Sequence, residues 1–147
     1  MNKFQTDMVK MVQAVCLDYA IHNNITDTIK GFSYDYNTET SADEENKYIF
    51  VYLKIEIKAD FEKKKNKKSA GSFEFGFTFE VDNLNELISQ KEGQQYLDDT
   101  LHLSVMGIAF STARGIIITR GAGTVLNDAY LPIVNPATLL KTQVIKQ

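Results

Sequence analysis

Between Leu101 and Thr119 the chain reads LHLSVMGIAFSTARGIIIT, a stretch in which only His102 and Arg114 can carry charge. With Gly121 and Gly123 just beyond it, the run reads as a helix that has almost no polar face. At about 100° per residue, Leu97, Leu101, Val105 and Ile108 share one side, while Leu103, Met106, Phe110 and Ile117 share nearly the opposite one. Between them lies a strip of small residues, Ser104, Gly107, Ser111 and Gly115, whose spacing of three and four lets a second backbone approach closely. A chain of 147 residues has interior for one domain, expected to span 1–147, and cannot hide such a helix on every side. The surplus apolar surface has to meet another subunit, a client polypeptide or a membrane. Arg114, Ser104, Ser111, Thr112 and two glycines make a poor bilayer segment, so a subunit or a client is expected and a membrane is not.

The rest of the chain supplies a sheet for that helix. Tyr48 to Phe61 alternates strictly, with Ile49, Val51, Leu53, Ile55, Ile57 and Ala59 on one face and Tyr48, Phe50, Tyr52, Lys54, Glu56 and Lys58 on the other. Phe73, Phe75, Phe77, Phe79 and Val81 repeat the pattern after a lysine-rich turn, which predicts an antiparallel hairpin. Met11 to Ile21 is a third strand. The polar stretch holding Phe32, Tyr34 and Tyr36 reads as a loop, followed by an acidic loop from Glu39 to Glu45. Asn83 with Glu86 three residues on predicts a capped short helix through Leu87 and Ile88, interrupted by Gly93. The long helix is expected from about Gln94 to Arg120. Asn135-Pro136 offers a cap and a first-turn proline for a last turn through Leu140.

Catalytic patterns are nearly absent. His22 and His102 stand in no metal-ligand frame, and Gly121-Ala122-Gly123 follows a helix where a phosphate loop would precede one. Adjacent Asp98 and Asp99 diverge on a helix and make no acid/base pair. We therefore expect no enzyme, no metal and no cofactor. Cys16 is the single cysteine, so no internal disulfide can form and a reducing cytoplasm is the expected compartment. Net charge is −3, too mild to name a partner. The lysines at 63, 64, 65, 67 and 68 read as a solvated hairpin tip; no aromatic or arginine interleaves with them, so nucleic acid is not expected.

The order of elements and the wording of the last third resemble the SecB export-chaperone family. The matching residues are Glu92-Gly93, then Phe110-Ser111-Thr112-Ala113-Arg114, then Thr119-Arg120-Gly121, and finally Leu131-Pro132-Ile133-Val134-Asn135-Pro136-Ala137-Thr138-Leu139-Leu140. The similarity covers roughly Tyr48 to Leu140, and more loosely the strand at Met11 to Ile21 and the aromatics from Phe32 to Tyr36. It implies an α+β fold: a four-stranded antiparallel sheet with a short helix and a long helix, assembled as a homo-oligomeric dimer of dimers. It also implies an ATP-independent holdase for unfolded or pre-secretory polypeptides. On that resemblance the client groove would use Phe32, Tyr34 and Tyr36 with Leu126, Tyr130, Leu131 and Ile133, and the helix strip of Ser104, Gly107, Ser111 and Gly115 would meet a sister helix. Ser111-Thr112 stands where the family has a proline–aromatic pair, and the crossover lacks the family's frequent tryptophan. Docking onto the secretion motor uses an acidic sheet face and a C-terminal tail in that family. Here the sheet face mixes lysine with glutamate and the tail is only Lys141 to Gln147, which weakens that expectation. The alternative is a partner-specific binding protein on the same fold, such as an antitoxin chaperone, without an export role.

Overall fold

The computed structural model describes residues 3–63 and 65–140. A short 3-10 turn, Thr6–Met8, leads into four long strands: β1 Val9–Ile21, β2 Ile29–Asp43, β3 Tyr48–Phe61 and β4 Lys68–Val81. They form one antiparallel sheet in the order β1-β4-β3-β2, so β1 and β2 are its edges. A 3-10 turn at Leu84–Glu86, a small hairpin of β5 Ile88–Lys91 and β6 Gln94–Leu97, and the helix α1 Asp99–Gly121 follow. The chain then runs without regular structure, as a strap, to a last 3-10 turn at Pro136–Leu139.

The two central strands behave as their alternation predicts. Ile49 faces Phe79, Val51 faces Phe77, Leu53 faces Phe75 and Ile55 faces Phe73, and all eight are buried. Phe73, Phe75 and Phe77 stack in a column at centroid spacings of 6.1 and 5.9 Å. Side chains of alternate residues on one strand lie on the same face, so a Phe-x-Phe-x-Phe run makes such a column unaided. This row packs in one core cluster with the buried residues of α1.

Three sequence expectations are corrected. Phe32, Tyr34 and Tyr36 lie within β2 and not on a loop; they face Ala59, Ile57 and Ile55 across the β2–β3 ladder, on the same inner face as the core. Strand pairing with β3 overrides the polar composition of the stretch, and of the expected acidic loop from Glu39 to Glu45 only Glu44 and Glu45 lie in a turn, at 44–47. The expected short helix through Leu87 and Ile88 is a three-residue 3-10 turn followed by a strand. Asn83 places its amide nitrogen on Glu86 Oε2 and Lys3 O, so it does not cap the turn. The long helix begins at Asp99 and not near Gln94, because Asp98 Oδ2 accepts the Leu101 amide at 3.0 Å and caps it there. Residues 94–97 pair instead with β5 through a two-residue turn, Glu92-Gly93, at φ 53° and 77°. Two successive positive-φ residues are the turn that matches strand twist in a tight hairpin.

Helix α1 lies across β1, β4 and β3. It is long and apolar enough by length and composition to cross a membrane. Its packing in the domain is one-sided. Leu101, His102, Val105, Met106, Ala109, Phe110, Ala113 and Ile117 form a single buried stripe drawn from both of the expected faces. Ile108 and Ile118 remain 44% and 43% exposed. Arg120 stacks over the ring of Tyr19 at 4.5 Å and fastens the helix end to β1. β1 is irregular, with register shifts between Met11 and Gln13 and between Cys16 and Asp18. Such bulges blunt an edge strand against unwanted pairing.

Candidate functional site

The inner face of the sheet is covered in two parts. Helix α1 covers the β1–β4–β3 half, and the strap from Thr124 to Leu140 crosses beside it towards β2. Two glycines seat the strap's first anchor, Leu126. A Cβ on Gly71 would stand 2.8 Å from Leu126 Cδ1, and one on Gly121 would stand 3.1 Å from Leu126 Cβ. Val125 donates its amide to Asn23 Oδ1 at 2.9 Å, which ties the same corner to the end of β1.

Three polar clips hold the strap further along. Tyr34 donates its hydroxyl to Tyr130 O at 3.0 Å, and Thr38 donates to Leu139 O. Arg114 donates from Nε to Leu131 O at 3.3 Å and from a terminal nitrogen to Pro132 O at 3.1 Å, while its guanidinium covers the Phe110 ring at 5.3 Å. Tyr36 meets the same Phe110 edge-on at 5.4 Å. Asn135 caps the final turn by accepting the Ala137 amide, as the Asn-Pro pair predicts. One arginine thus ties helix, strap and aromatic row together.

The expected groove residues divide accordingly. Leu126 and Leu131 are core residues, buried because the strap closes onto the sheet. Phe32, Tyr34 and Tyr36 are half-buried and packed on the core from β2. Tyr130 and Ile133 point outward, 59% and 93% exposed. The structure therefore brings Tyr34 and Tyr130 together at the strap's edge and leaves Ile133 standing free of its own domain. Burial pushes the Tyr34 phenol up to about 12, with neighbouring Tyr36 adding to the effect. Burial likewise raises Tyr36, opposed by Arg114 and helped by Asp35. Both phenols stay neutral near pH 7 and offer a surface that is apolar in body and polar at the tip.

Sequence reasoning missed Arg114 and Thr38 as strap clips. Arg114 was legible as a lone charge in an apolar helix; Thr38 carries no signal of its own. On the helix strip, Ser104 bonds back to Thr100 O, and Gly107 receives Pro136, whose Cγ would be 3.4 Å from an added Cβ. Ser111 is exposed, and nothing lies within 4 Å of a Cβ on Gly115. Of the strip, Gly107 is thus met by the last turn, Ser104 bonds within the helix, and Ser111 and Gly115 are open.

Other chemistry is sparse. His102 is buried, with Nε2 at 2.9 Å from Thr40 Oγ1 and its Nδ1 without a partner among the described residues. Burial pulls its pKa down, with Asp99 opposing. Cys16 is half-buried and its thiol reaches only Asp18 O at 3.6 Å. Among the described residues no three His, Cys, Asp or Glu side chains converge as a metal site would require.

No protein-family model matches the sequence, and no curated protein does so either. The architecture itself has a counterpart. The SecB-like chaperone Rv1957 of Mycobacterium tuberculosis, solved in complex with a ChAD peptide from the HigA1 antitoxin (Rv1956), superposes with a TM-score of 0.56 over 87% of this chain and 92% of that one. This chain has the SecB-like fold. Sequence identity is 15%, so the likeness is one of fold. The likeness extends to the four-stranded antiparallel sheet with its one long helix. Within that SecB-like frame, the Phe110 to Arg114 motif is the part of α1 that clips the strap. The tail residues 141–147, on which motor docking was judged, lie outside the described residues.

Proposed function

We propose that this protein is an ATP-independent holdase that lays apolar segments of unfolded polypeptide along the strap and the aromatic row of β2. The observation that carries this reading is the pair Tyr130 and Ile133, exposed large side chains on a strap whose Leu126, Leu131 and Leu139 are buried. Apolar burial is non-directional, roughly 25 cal/mol per Å², so a surface of this kind accepts many sequences without chemistry or nucleotide. A structural neighbour solved with a peptide bound supports the same reading.

The working unit we propose is a homo-oligomer, assembled as a dimer of dimers. Ile108, Ser111, Gly115 and Ile118 are exposed together on the outward side of the helix, and small residues at its centre suit close helix packing. With a single half-buried cysteine, a reducing cytoplasm is the compartment we assign. Export is not required by this reading. A partner-specific role, such as guarding an antitoxin, is favoured over general export by one observation: the neighbour's bound peptide comes from an antitoxin.

Light scattering from a chemically unfolded protein diluted into buffer tests the proposal. The wild-type chain at stoichiometric amounts suppresses aggregation without ATP, and Tyr130→Ser with Ile133→Ser removes most of the effect while leaving the fold intact. A wild-type chain that does not suppress aggregation sinks the holdase reading. Suppression of one client's aggregation and of no other favours the partner-specific form.

A further inference from the structure

Five of the chain's 16 basic residues are the lysines at 63, 64, 65, 67 and 68. The other 11 stand against all 19 acidic residues, so the rest of the chain is net negative. Lysines of this kind ordinarily guard the edge of a sheet. That use does not apply here, because the turn joins β3 and β4, the two central strands. Anchoring the turn takes one of the five. Lys67 donates to Ser33 Oγ at 2.8 Å and lies 3.6 Å from Asp60, whose carboxylate also accepts the Ser33 hydroxyl at 2.9 Å. Crowding further lysines beside it adds mutual repulsion and returns nothing to the fold.

Lys30, Lys63, Lys65 and Lys67 surround an open basin of about 580 Å³, with Asp60 and Glu62 in its wall. Lys67 offsets Asp60, so three exposed lysines face Glu62 alone. Lys30, Lys63 and Lys65 form no ion pair among the described residues. Phe61 is the only large apolar residue between 60 and 69, and it is buried. The turn therefore offers positive charge with no apolar wedge, no aromatic face and no arginine fork.

Such a site recognises anionic phosphate by charge density alone. A nucleic-acid single strand is held by stacking on exposed aromatics as well, and a duplex by cations strung along its backbone. Lysines crowded into one short turn meet few phosphates of either. A bilayer containing anionic lipids presents phosphates in two dimensions, and a compact cluster within a Debye length of it engages several at once. The same surface repels the negative remainder of the chain, so the molecule approaches turn first.

We propose that the Lys30–Lys63–Lys65 basin docks the protein peripherally on anionic lipid headgroups, through charge alone. Helix α1 takes no part in the contact, and the inference does not depend on the holdase reading. Each lysine near the surface strengthens binding about fivefold, and the gain fades as salt is added.

Co-sedimentation with vesicles tests it, using phosphatidylcholine alone or phosphatidylcholine mixed with phosphatidylglycerol. The wild-type chain sediments with the anionic vesicles at low salt, stays in solution with the neutral ones, and is released by about 0.5 M salt. Lys63→Gln with Lys65→Gln lowers the partition about thirtyfold. Lys10→Gln with Lys91→Gln, which changes net charge equally at exposed lysines elsewhere, leaves it nearly unchanged. Equal losses in the two double variants overturn the site in favour of net charge. Binding to neutral vesicles, or binding that salt does not weaken, assigns the contact to apolar surface and overturns it too. Release by inorganic phosphate at constant ionic strength would make free phosphate the ligand, and tighter binding of a short DNA duplex at the same salt would make this a nucleic-acid site; either result overturns the lipid assignment. A wild-type chain that ignores anionic vesicles overturns it outright.

Discussion

Thr40 Oγ1 and His102 Nε2 lie 2.9 Å apart inside the core and join the edge strand β2 to the first turns of α1. Both residues are buried, and the helix is reached from a strand sixty-two residues earlier in the chain. The bond links the sheet edge that carries the aromatic row to the helix whose Arg114 holds the strap.

Burial of His102 makes stability depend on pH in a defined window. Burial holds the folded His102 below its ordinary pKa, so the neutral form is favoured in the fold. The unfolded chain takes up the proton near pH ~6.5 while the folded one does not. Stability is therefore complete above that value and is lost as pH falls through it towards the lowered folded-state pKa. His102→Gln, which can still meet Thr40 but cannot titrate, should show a smaller drop in Tm between about pH 7.5 and pH 5 than the wild type. Identical drops in the two proteins would refute the assignment.

Tyr34 and Tyr36 should respond oppositely to loss of the hydroxyl. Tyr34 spends its hydroxyl on Tyr130 O, so Tyr34→Phe costs about 0.5–1.5 kcal/mol in urea unfolding. The Tyr36 hydroxyl is buried without a partner among the described residues, so Tyr36→Phe is neutral or stabilising. Equal losses at both positions would contradict the strap clip.

Arg114 holds two successive strap carbonyls with a planar fork that lysine cannot reproduce. Arg114→Lys should cost about 1–2 kcal/mol, since hydrogen bonds from charged groups are among the stronger ones. Amide hydrogen exchange should quicken over 130–134 and stay unchanged in β3 and β4. Uniform quickening across the sheet would mean the arginine supports the whole domain and not the strap.

Gly71 and Gly115 should separate the fold from the assembly. Gly71→Ala drives a Cβ into Leu126 and towards Ala20 O, and overpacking of this kind costs about 1–3 kcal/mol. Gly115→Ala meets nothing within the domain and gains up to about 1 kcal/mol of helix propensity. Gly115→Leu should leave circular dichroism unchanged and lower the solution mass measured by light scattering. An unchanged mass would remove the helix strip from the proposed interface.

Legibility in the sequence followed the range of the interactions. The faces of β3 and β4, the Asn135 cap and the end of α1 were readable because a strand's alternation or a capping side chain needs only its own neighbours. The Glu92-Gly93 hairpin was readable in principle, as two residues suited to a tight turn, but the helical pattern after it was followed back too far. Phe32, Tyr34 and Tyr36 were found as functional candidates and misplaced as a loop, since nothing local announces that β3 will offer them a ladder. Leu126 and Ile133 are similar in hydrophobicity and lie seven residues apart, yet one is core and the other is 93% exposed.

The sequence by itself determined a two-faced sheet, a helix with more apolar surface than one stripe can bury, and the lysine concentration at 63–68. Those are properties of composition and period, and they hold wherever the elements pack. Only the tertiary structure decided which part of the surplus stays uncovered. The Gly71 and Gly121 seat takes Leu126, Pro136 takes Gly107, and Arg114 takes the strap, and each choice depends on a surface brought from far along the chain. What those contacts leave open, Tyr130, Ile133 and the outer face of α1, is set by the geometry of the covered parts and by no property of the exposed residues themselves.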